Sequence, residues 1–346
     1  MEGTYNYTVT TLCMTYNHVS FIQDTLHGFL LQRTNFPTVY CIVDDASTDG
    51  TTDFLKKWAL YNLCTNGEND IWQEKEYGKY AIGALKNKPL SLFVILFLNE
   101  NHFKKGWGIR KIEYFSNWLK KSKYCAFCEG DDYWIDPDKL TKQVSLLENN
   151  SNIMLVYSSF RTVDENGDYI FRSMYEDFKK KSRSGEILHL LLSGNYIMTL
   201  TVCMRSFLLE KRLFLDCPTI MDWSYFCVAA MYGDAYYCSE EFGCYRKVET
   251  SFTNSAPDIV GKKGNLIKKY YSEQYLKKRY KTVTLRQHRK ILYSIANTCI
   301  VDRNWSILRE TIRNPYFLFV FIVEFMKHLV KKLRSRPLLL SQIIDI

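Results

Sequence analysis

The sequence predicts an α/β fold with a mostly parallel sheet flanked by helices, and two features of its first half support this prediction. Strand-like and helix-like segments alternate along the chain, and the strand-like segments are continuous apolar runs. Strands that are apolar at every position are typical of sheets covered by helices on both faces. In such sheets, ligands bind beyond the carboxyl ends of the strands. The residues that follow each strand are therefore the first candidates for a function.

The first 150 residues predict four strands with helices between them. Runs of β-branched and other apolar residues predict the strands at 7–16, 38–43, 90–98 and 124–128. Apolar residues three and four positions apart predict helices at 19–33, 51–60 and 107–121. A further helix is expected within 135–150, where Asp136 can cap the helix and Pro137 can occupy its first turn.

The second half of the chain is less regular. Its composition predicts a strand at 153–159, a turn at 164–168, a helix at 185–195, a strand-like stretch at 196–204, a helix at 221–233 and two short strands at 234–239 and 243–248. Beyond about residue 260 the pattern is helical. We therefore expect a catalytic or binding domain over residues 1–260 and a helical, basic C-terminal region over residues 261–346.

The cysteines and the distribution of charge narrow the class of protein. The 11 cysteines lie mostly in apolar runs, which is typical of reduced thiols in a cytosolic core. The first residues lack the basic start and apolar stretch of a signal peptide. The net charge of +9 is local, because residues 261–336 hold 19 Lys and Arg against 4 Asp and Glu. A mildly acidic body with a basic C-terminal quarter indicates a tail that meets an anionic partner.

Two pairs of carboxylates follow predicted strands. Asp44 and Asp45 come directly after the second strand, and Asp131 and Asp132 follow the fourth strand in the turn "EGDD". A calcium-binding loop that starts at Asp45 would need an acid at its twelfth position, which is Lys56, and a helix in place of the preceding strand. Both pairs are therefore interpreted as the ends of buried strands.

The two pairs suit the parts of a nucleoside diphosphate. Tyr16, at the end of the first strand, can stack on a base, and Asp45 can accept hydrogen bonds from a base or ribose. Adjacent carboxylates such as Asp131 and Asp132 attract Mg²⁺ or Mn²⁺, which keep open positions for phosphate oxygens. The alternative is that both pairs are solvated turns that cap helices, because Asp is common at such positions.

Three stretches together resemble the inverting glycosyltransferases of family 2, which have the GT-A (Rossmann-like) fold. They are "CMTYNHVSFIQDTL", "VDDASTDGT" and "CEGDDYWIDPDKLTKQVSLLE", and they occur in the order and spacing of that family. The resemblance covers about residues 7 to 250 and is strongest to bacterial enzymes that build surface polysaccharides or lipid-linked oligosaccharides. It implies the transfer of a hexosyl-type sugar from a nucleoside diphosphate sugar, usually a UDP-sugar, to a hydroxyl of a glycan or lipid-linked acceptor.

The resemblance also implies roles for residues at the strand ends. Thr15 and Tyr16 match the segment that contacts the nucleotide base, and Asp45 matches the acid that reads the base. Asp132 matches the position that holds the divalent metal, Mn²⁺ or Mg²⁺, and Asp131 matches a contact to ribose or phosphate that can also bind the metal.

Two later segments resemble the family's catalytic part. "MDWSYF" places the catalytic base on Asp222, although this residue could instead cap the following helix. "CYRKV" matches a segment in which Tyr245 and Arg246 fit and Arg246 contacts the nucleotide, whereas Val248 stands where the family has a histidine. Attack by an acceptor hydroxyl in one displacement would invert the configuration of the sugar.

The C-terminal region leaves several interpretations open. Residues 316–336 hold eight consecutive apolar residues followed by basic ones, which is too short and interrupted to span a bilayer. The segment suits a helix on the cytoplasmic face of a membrane, or a helix packed on the body or on a second subunit. An inactive nucleotide-sugar-binding protein and a nucleic-acid-binding module remain alternatives, and the acidic body argues against nucleic acid.

Overall fold

The computed structural model describes residues 5–64, 71–106, 110–170, 173–249, 251, 256–277, 284–303, 305, 307 and 315–334. Within these ranges an 11-stranded sheet forms the body of the protein. The strands are β1 Tyr7–Thr15, β2 Thr38–Asp44, β3 Leu63–Cys64, β4 Trp72–Lys75, β5 Gly78–Leu85, β6 Lys88–Leu98, β7 Ser122–Phe127, β8 Tyr133–Trp134, β9 Ile153–Val163, β10 Cys203–Arg205 and β11 Asp234–Arg246.

The helices lie on both faces of this sheet and in the C-terminal region. They are α1 Ile22–Leu31, α2 Thr51–Asn62, α3 Arg110–Tyr114, α4 Ser116–Lys120, α5 Lys139–Asn149, α6 Ser173–Lys181, α7 Leu188–Leu191, α8 Arg212–Leu215, α9 Asp222–Tyr232, α10 Pro257–Lys277, α11 Leu285–Val301 and α12 Pro315–Arg334. Two short 3₁₀ turns, at Thr199–Thr201 and Ser206–Glu210, flank β10.

The order of the strands places two acidic segments at one edge of the sheet. The order is β3-β5-β6-β2-β1-β7-β10-β9-β11-β8, with β4 paired to β5. The neighbours β6, β2, β1 and β7 are parallel, as are β9 and β11, and the remaining pairs are antiparallel. The carboxyl ends of β2, β1 and β7 therefore meet at one edge, where ligands of such sheets bind.

Both faces of the central strands are buried, as the apolar runs predict. Along β2, Val39, Cys41 and Val43 belong to one apolar cluster, and Tyr40 and Ile42 belong to the cluster on the opposite face. The predicted α/β class, with helices around a sheet that is parallel at its centre and a helical C-terminal region, is confirmed. All 11 cysteines are unpaired thiols, and most of them are buried.

The structure corrects several predicted elements. Helix α5 begins at Lys139 rather than at Pro137, because the Asp136 carboxylate accepts the backbone N–H of Asp138 at 2.7 Å and closes a turn ahead of the helix. The predicted helix 185–195 is reduced to α7, and the predicted strand 196–204 is reduced to β10.

Two further corrections concern the sheet and the helix before β7. The two short strands predicted at 234–248 form one strand, β11, whose register shifts at bulges along β9. Strands β4 and β5 were absent from the prediction. Strand β4, which pairs with β5, is mostly polar and exposed at the edge of the sheet, so it lacks the apolar run that predicts a strand. The described part of the helix predicted at 107–121 is divided into α3 and α4 at Phe115.

The C-terminal helices pack against the half of the body that contains α7 and α9. Helix α10 contacts α9, where the Tyr271 hydroxyl donates to the Ser224 carbonyl at 3.0 Å. Helix α11 contacts α7, and the Thr298 hydroxyl donates to the Leu192 carbonyl at 3.1 Å. Helix α12 packs against α11. None of the described helices combines the length and the apolar character that crossing a membrane requires.

A lysine in the core joins α5 to the sheet. Lys139 is fully buried, its ammonium lies 4.2 Å from the centre of the Trp134 ring, and it donates to the Gln143 side chain at 2.7 Å. Gln143 in turn donates to the Thr201 carbonyl at 2.7 Å. Burial lowers the pKa of Lys139 from 10.5 to about 8, although nearby thiols, first among them Cys203, oppose the shift.

This pKa predicts a pH-dependent difference between the wild type and Lys139→Met. Between pH 8 and pH 10.5 the unfolded chain binds more protons at this site than the folded chain, so the contribution of Lys139 to stability rises with pH. Relative to Lys139→Met, the wild type should gain up to about 3 kcal/mol of unfolding free energy between pH 7 and pH 10. Urea unfolding of both proteins across this range measures the difference, in which titrating groups that do not interact with Lys139 cancel. A difference that stays constant would contradict a buried ammonium with a lowered pKa.

Candidate active site

The second acidic pair lies in a turn that is held by both β1 and α1. This acidic turn, residues 129–132, follows β7. The Gly130 N–H donates to the Met14 carbonyl at 2.9 Å, so the turn continues the pairing of β7 with β1. The Thr25 hydroxyl, on α1, lies 3.1 Å from the Gly130 carbonyl and 2.7 Å from the Asp132 carbonyl. The backbone of the turn is therefore fixed on two sides.

Gly130 lies so close to the end of β1 that a side chain would not fit. A Cβ atom at this position would be 2.5 Å from the Thr15 Oγ1, 2.6 Å from the Thr15 Cβ and 2.9 Å from the His18 Nδ1. Real Cβ atoms essentially never approach other heavy atoms so closely. The glycine therefore allows the acidic turn to rest directly on Thr15, one of the residues predicted to contact the nucleotide.

The two carboxylates of the acidic turn differ in burial. Asp132 is buried, and its Oδ1 accepts the backbone N–H of Arg246 at 2.8 Å. Burial, reinforced by the charge of Asp131, raises the pKa of Asp132 well above its usual range. The Asp131 side chain is 19% exposed, so the pair presents one accessible and one buried carboxylate.

His18 completes this corner, and the sequence prediction did not assign it a role. Its Nδ1 lies 3.2 Å from the Thr15 Oγ1, and its Nε2 lies 4.0 Å from the Asp131 Oδ2. Burial lowers the pKa of His18, while Asp131 opposes the shift. The sequence places His18 three residues after Thr15. This spacing indicates a role beside the acidic turn only when the pairing of β1 with β7 is known.

Arg246, predicted to contact the nucleotide, is buried and binds the protein itself. Its Nε donates to the Asp131 carbonyl at 3.0 Å, and its Nη1 donates to the Glu165 carbonyl at 2.9 Å. Its Nη2 pairs with the Asp24 carboxylate of α1 at 2.6 Å. Together with its backbone bond to Asp132, these contacts fasten the end of β11 to the acidic turn and to α1.

The first acidic pair also bonds to the surrounding backbone. The Asp44 carboxylate accepts the Ser47 N–H at 3.1 Å and the Thr52 hydroxyl, which closes the turn into α2. Asp45 is buried, and its two oxygens accept the N–H groups of His102 at 2.8 Å and Phe103 at 3.1 Å. The acid predicted to read the base therefore also holds the segment after β6 in place.

Tyr16 lies beside this segment. The Lys104 ammonium is 5.8 Å from the centre of the Tyr16 ring, and the Lys263 ammonium of α10 is 5.7 Å from the centre of the Phe103 ring. Aromatic rings and ammonium groups thus surround the end of β1 next to Asp45. A flat base and an anionic group are the kinds of ligand that such an arrangement suits.

Asp222 is the first residue of α9, and Met221 is the residue that precedes the helix as its cap. The Asp222 Oδ2 accepts the Thr199 hydroxyl at 2.9 Å, and its Oδ1 accepts the Trp223 N–H at 2.7 Å. Burial raises the pKa of Asp222, and these hydrogen bonds partly offset the rise. A fixed carboxylate with a raised pKa is a suitable proton acceptor.

The start of α9 lies over the carboxyl end of β7. Tyr225 stacks on Phe127, the last residue of β7, with ring centres 5.0 Å apart. Burial raises the pKa of Tyr225, and the charges of Glu129 and Asp222 both add to the rise. The start of α9 therefore packs on the end of the strand that leads into the acidic turn.

The donor set of the acidic turn fits a hard divalent cation that shares its ligands with a substrate. The described residues contain no group of three His, Cys, Asp or Glu side chains placed to hold a metal. Mg²⁺ is commonly bound by one or two carboxylates together with phosphate oxygens and water. Asp131 and Asp132 supply two such carboxylates, and their mutual repulsion favours a cation between them.

Comparison with known proteins finds relatives of unassigned function and solved structures with a similar fold. No protein-family model matches the chain. Over 247 residues, 70% of this chain, the sequence is 26% identical to the uncharacterized proteins Mb1547 of Mycobacterium bovis and Rv1520 of Mycobacterium tuberculosis. The matched segment spans 60% of the length of these relatives. Residues 1–349 of TarS from S. aureus, solved in complex with UDP-GlcNAc, align at 15% identity with a TM-score of 0.50, covering 92% of this chain and 89% of TarS 1–349.

The close approach at Gly130 predicts a specific loss of stability in Gly130→Ala. The new methyl group would displace Thr15 or the acidic turn, and overpacking of this kind costs about 1–3 kcal/mol of unfolding free energy. Chemical denaturation measures the loss. Gly261→Ala is the matched control, because its Cβ would meet nothing within 4 Å in α10 and alanine favours a helix. A Gly130→Ala protein as stable as the wild type would show that the turn is not seated on β1.

Proposed function

We propose that this protein is a metal-dependent, inverting glycosyltransferase of family 2. It would transfer a sugar from a nucleoside diphosphate sugar, with UDP as the favoured nucleotide, to a hydroxyl of a glycan or lipid-linked acceptor. The observation that supports this most is the junction of the acidic turn with the end of β1, 2.9 Å from Gly130 N to Met14 O. It places a pair of carboxylates next to the residues proposed to contact the base.

The nucleotide would lie along the carboxyl ends of β2, β1 and β7. Its base would stack on Tyr16, near Thr15 and the Lys104 ammonium. Asp45 holds the 101–103 segment at this end of the sheet, and its carboxylate would lie beside the base. The shared fold with TarS 1–349, which was solved with UDP-GlcNAc, supports a uridine nucleotide.

The diphosphate would lie at the acidic turn. Asp132 and Asp131 would hold the divalent cation, Mn²⁺ or Mg²⁺, which acts as a Lewis acid that neutralises negative charge on the departing diphosphate. Arg246 would act on the nucleotide through the turn, because its guanidinium group binds the Asp131 carbonyl. The replacement of the family's histidine by Val248, which is buried, removes one polar group from this region.

Asp222 would be the catalytic base. The Thr199 hydroxyl and the Trp223 N–H orient its carboxylate, so that it can take a proton from the acceptor hydroxyl as that oxygen attacks the anomeric carbon. The bond between the anomeric carbon and the diphosphate breaks as the new glycosidic bond forms. Attack from the face opposite the leaving group inverts the anomeric configuration.

The main alternative is a protein that binds a nucleotide sugar without transferring it. The same acidic turn and aromatic residues would serve binding alone. The hydrogen bond from the Trp223 N–H to Asp222 favours this alternative in part, because it is the contact of a carboxylate that stabilises the start of a helix. A substitution at Asp222 therefore distinguishes the two functions.

Asp222→Asn should lose turnover while it keeps nucleotide binding. The wild type should release UDP from at least one UDP-sugar in the presence of Mn²⁺ or Mg²⁺, either to an acceptor or slowly to water. Removal of a general base lowers the rate by about 10²–10⁴-fold. A panel of nucleotide sugars, assayed for released nucleotide, measures turnover, and the rise in melting temperature on adding UDP with Mn²⁺ measures binding.

The matched control is Asp216→Asn, which lies six residues before Asp222. Asp216 is an exposed acid that pairs with Arg212 on α8, so its substitution should change neither turnover nor binding. Full turnover in Asp222→Asn would refute the role of Asp222. Absence of binding by every nucleotide sugar with either metal would refute the proposed function itself.

A further inference from the structure

Helix α12 has apolar residues on two opposite faces. Phe317, Val320 and Phe321 are buried, on the side of the helix that packs against α11. A second set of apolar side chains is 40–63% exposed and forms what we call the outer stripe: Phe319, Ile322, Met326, Leu329 and Val330. A helix that only packed on the body of the protein would carry polar residues on its outer face.

The spacing of the outer stripe shows that it is one continuous surface. Its members follow one another at intervals of three, four, three and one residues, which keeps them on one side of an α-helix over three turns. This side is opposite the buried face. Clusters of exposed apolar residues on soluble proteins mark sites of contact with a protein or a membrane.

The charged residues of α12 are mostly positive, because the helix contains Lys327, Lys331, Lys332 and Arg334 against one acid. Lys327 and Lys331 are exposed, and the Lys327 ammonium lies 5.3 Å from the centre of the Tyr293 ring on α11. The only acid of α12 is Glu324, and it is already paired with Lys327 at 2.8 Å. The helix therefore combines an apolar outer face with a net positive charge, in a C-terminal region that is strongly basic as a whole.

We propose that the outer stripe of α12 binds to the surface of an anionic lipid bilayer, with the helix lying in the plane of the membrane. The apolar side chains would enter the boundary between headgroups and acyl chains, and the lysines would contact lipid phosphates. This inference stands on the surface of α12 and does not depend on the proposed glycosyl transfer.

The same charges disfavour a second copy of this chain as the occupant. A symmetric dimer brings identical surfaces together, so two α12 helices that each carry a net positive charge would lie against each other. Helix α12 has no unpaired acid to compensate this charge. The surface of an anionic bilayer suits both the outer stripe and the basic residues of α12.

Flotation of the full-length protein with lipid vesicles tests the proposal. The wild type should bind vesicles of phosphatidylcholine mixed with phosphatidylglycerol at least ten times more tightly than vesicles of phosphatidylcholine alone, and high salt should weaken this binding. Lys327→Gln with Lys331→Gln should weaken it by about 30-fold, since each basic residue contributes about a factor of five. Ile322→Glu with Met326→Glu should abolish it.

Leu60→Glu is the control for removing an exposed apolar residue, because Leu60 is 59% exposed on α2, far from α12 in the sequence. It should bind vesicles like the wild type. The proposal is overturned if the wild type ignores anionic vesicles, or if Ile322→Glu with Met326→Glu binds them unchanged while its melting temperature matches the wild type. It is also overturned if the wild type is a dimer in solution that Ile322→Glu with Met326→Glu converts to a monomer.

Discussion

The rest of the candidate site depends on one close contact, where the acidic turn rests on the end of β1 through Gly130. The backbone bond from Gly130 to Met14 and the absence of a side chain bring residues 129–132 against Thr15. The contact is a consequence of parallel pairing, since β1 and β7 run side by side and the acidic turn continues this pairing along the end of β1. It brings together residues that are more than 100 positions apart in the sequence.

The polar groups around this contact hold the site in place before any ligand arrives. Arg246 joins β11, α1 and the acidic turn. Asp45, which follows β2, bonds to Thr15 at the end of β1 and to His102 after β6. Both residues were predicted to contact the nucleotide directly, and both are buried in bonds to the protein. Positioning of this kind lowers the reorganisation that binding and reaction would otherwise require.

The sequence predicted the parts of the structure that depend on local patterns. The central strands, helices α1, α2 and α9, and the two acidic pairs at strand ends follow from runs of apolar residues and from the residues that interrupt them. The contacts of His18 and Arg246 did not follow, because each depends on which strands are neighbours, and the pattern of one strand does not state its partner.

The sequence pattern also failed to predict a strand at the edge of the sheet and the exposed face of a helix. The pairing of β4 with β5 places polar residues in a strand, where alternation is weak. For α12, hydrophobicity alone did not distinguish a packed helix from a surface helix, and the structure separates its residues into a buried face and the outer stripe. The choice between a packed helix and a surface helix depends on three-dimensional packing, which the composition of the segment does not determine.

Calorimetric titration of UDP with and without Mn²⁺ tests most directly whether the acidic turn and the end of β1 form one nucleotide and metal site. If they do, Mn²⁺ should tighten UDP binding about tenfold or more, and UDP should tighten Mn²⁺ binding by the same factor, because the coupling of two ligands is reciprocal. Uridine, which lacks the diphosphate, should show no such coupling. Equal affinity for UDP with and without Mn²⁺ would contradict a shared site.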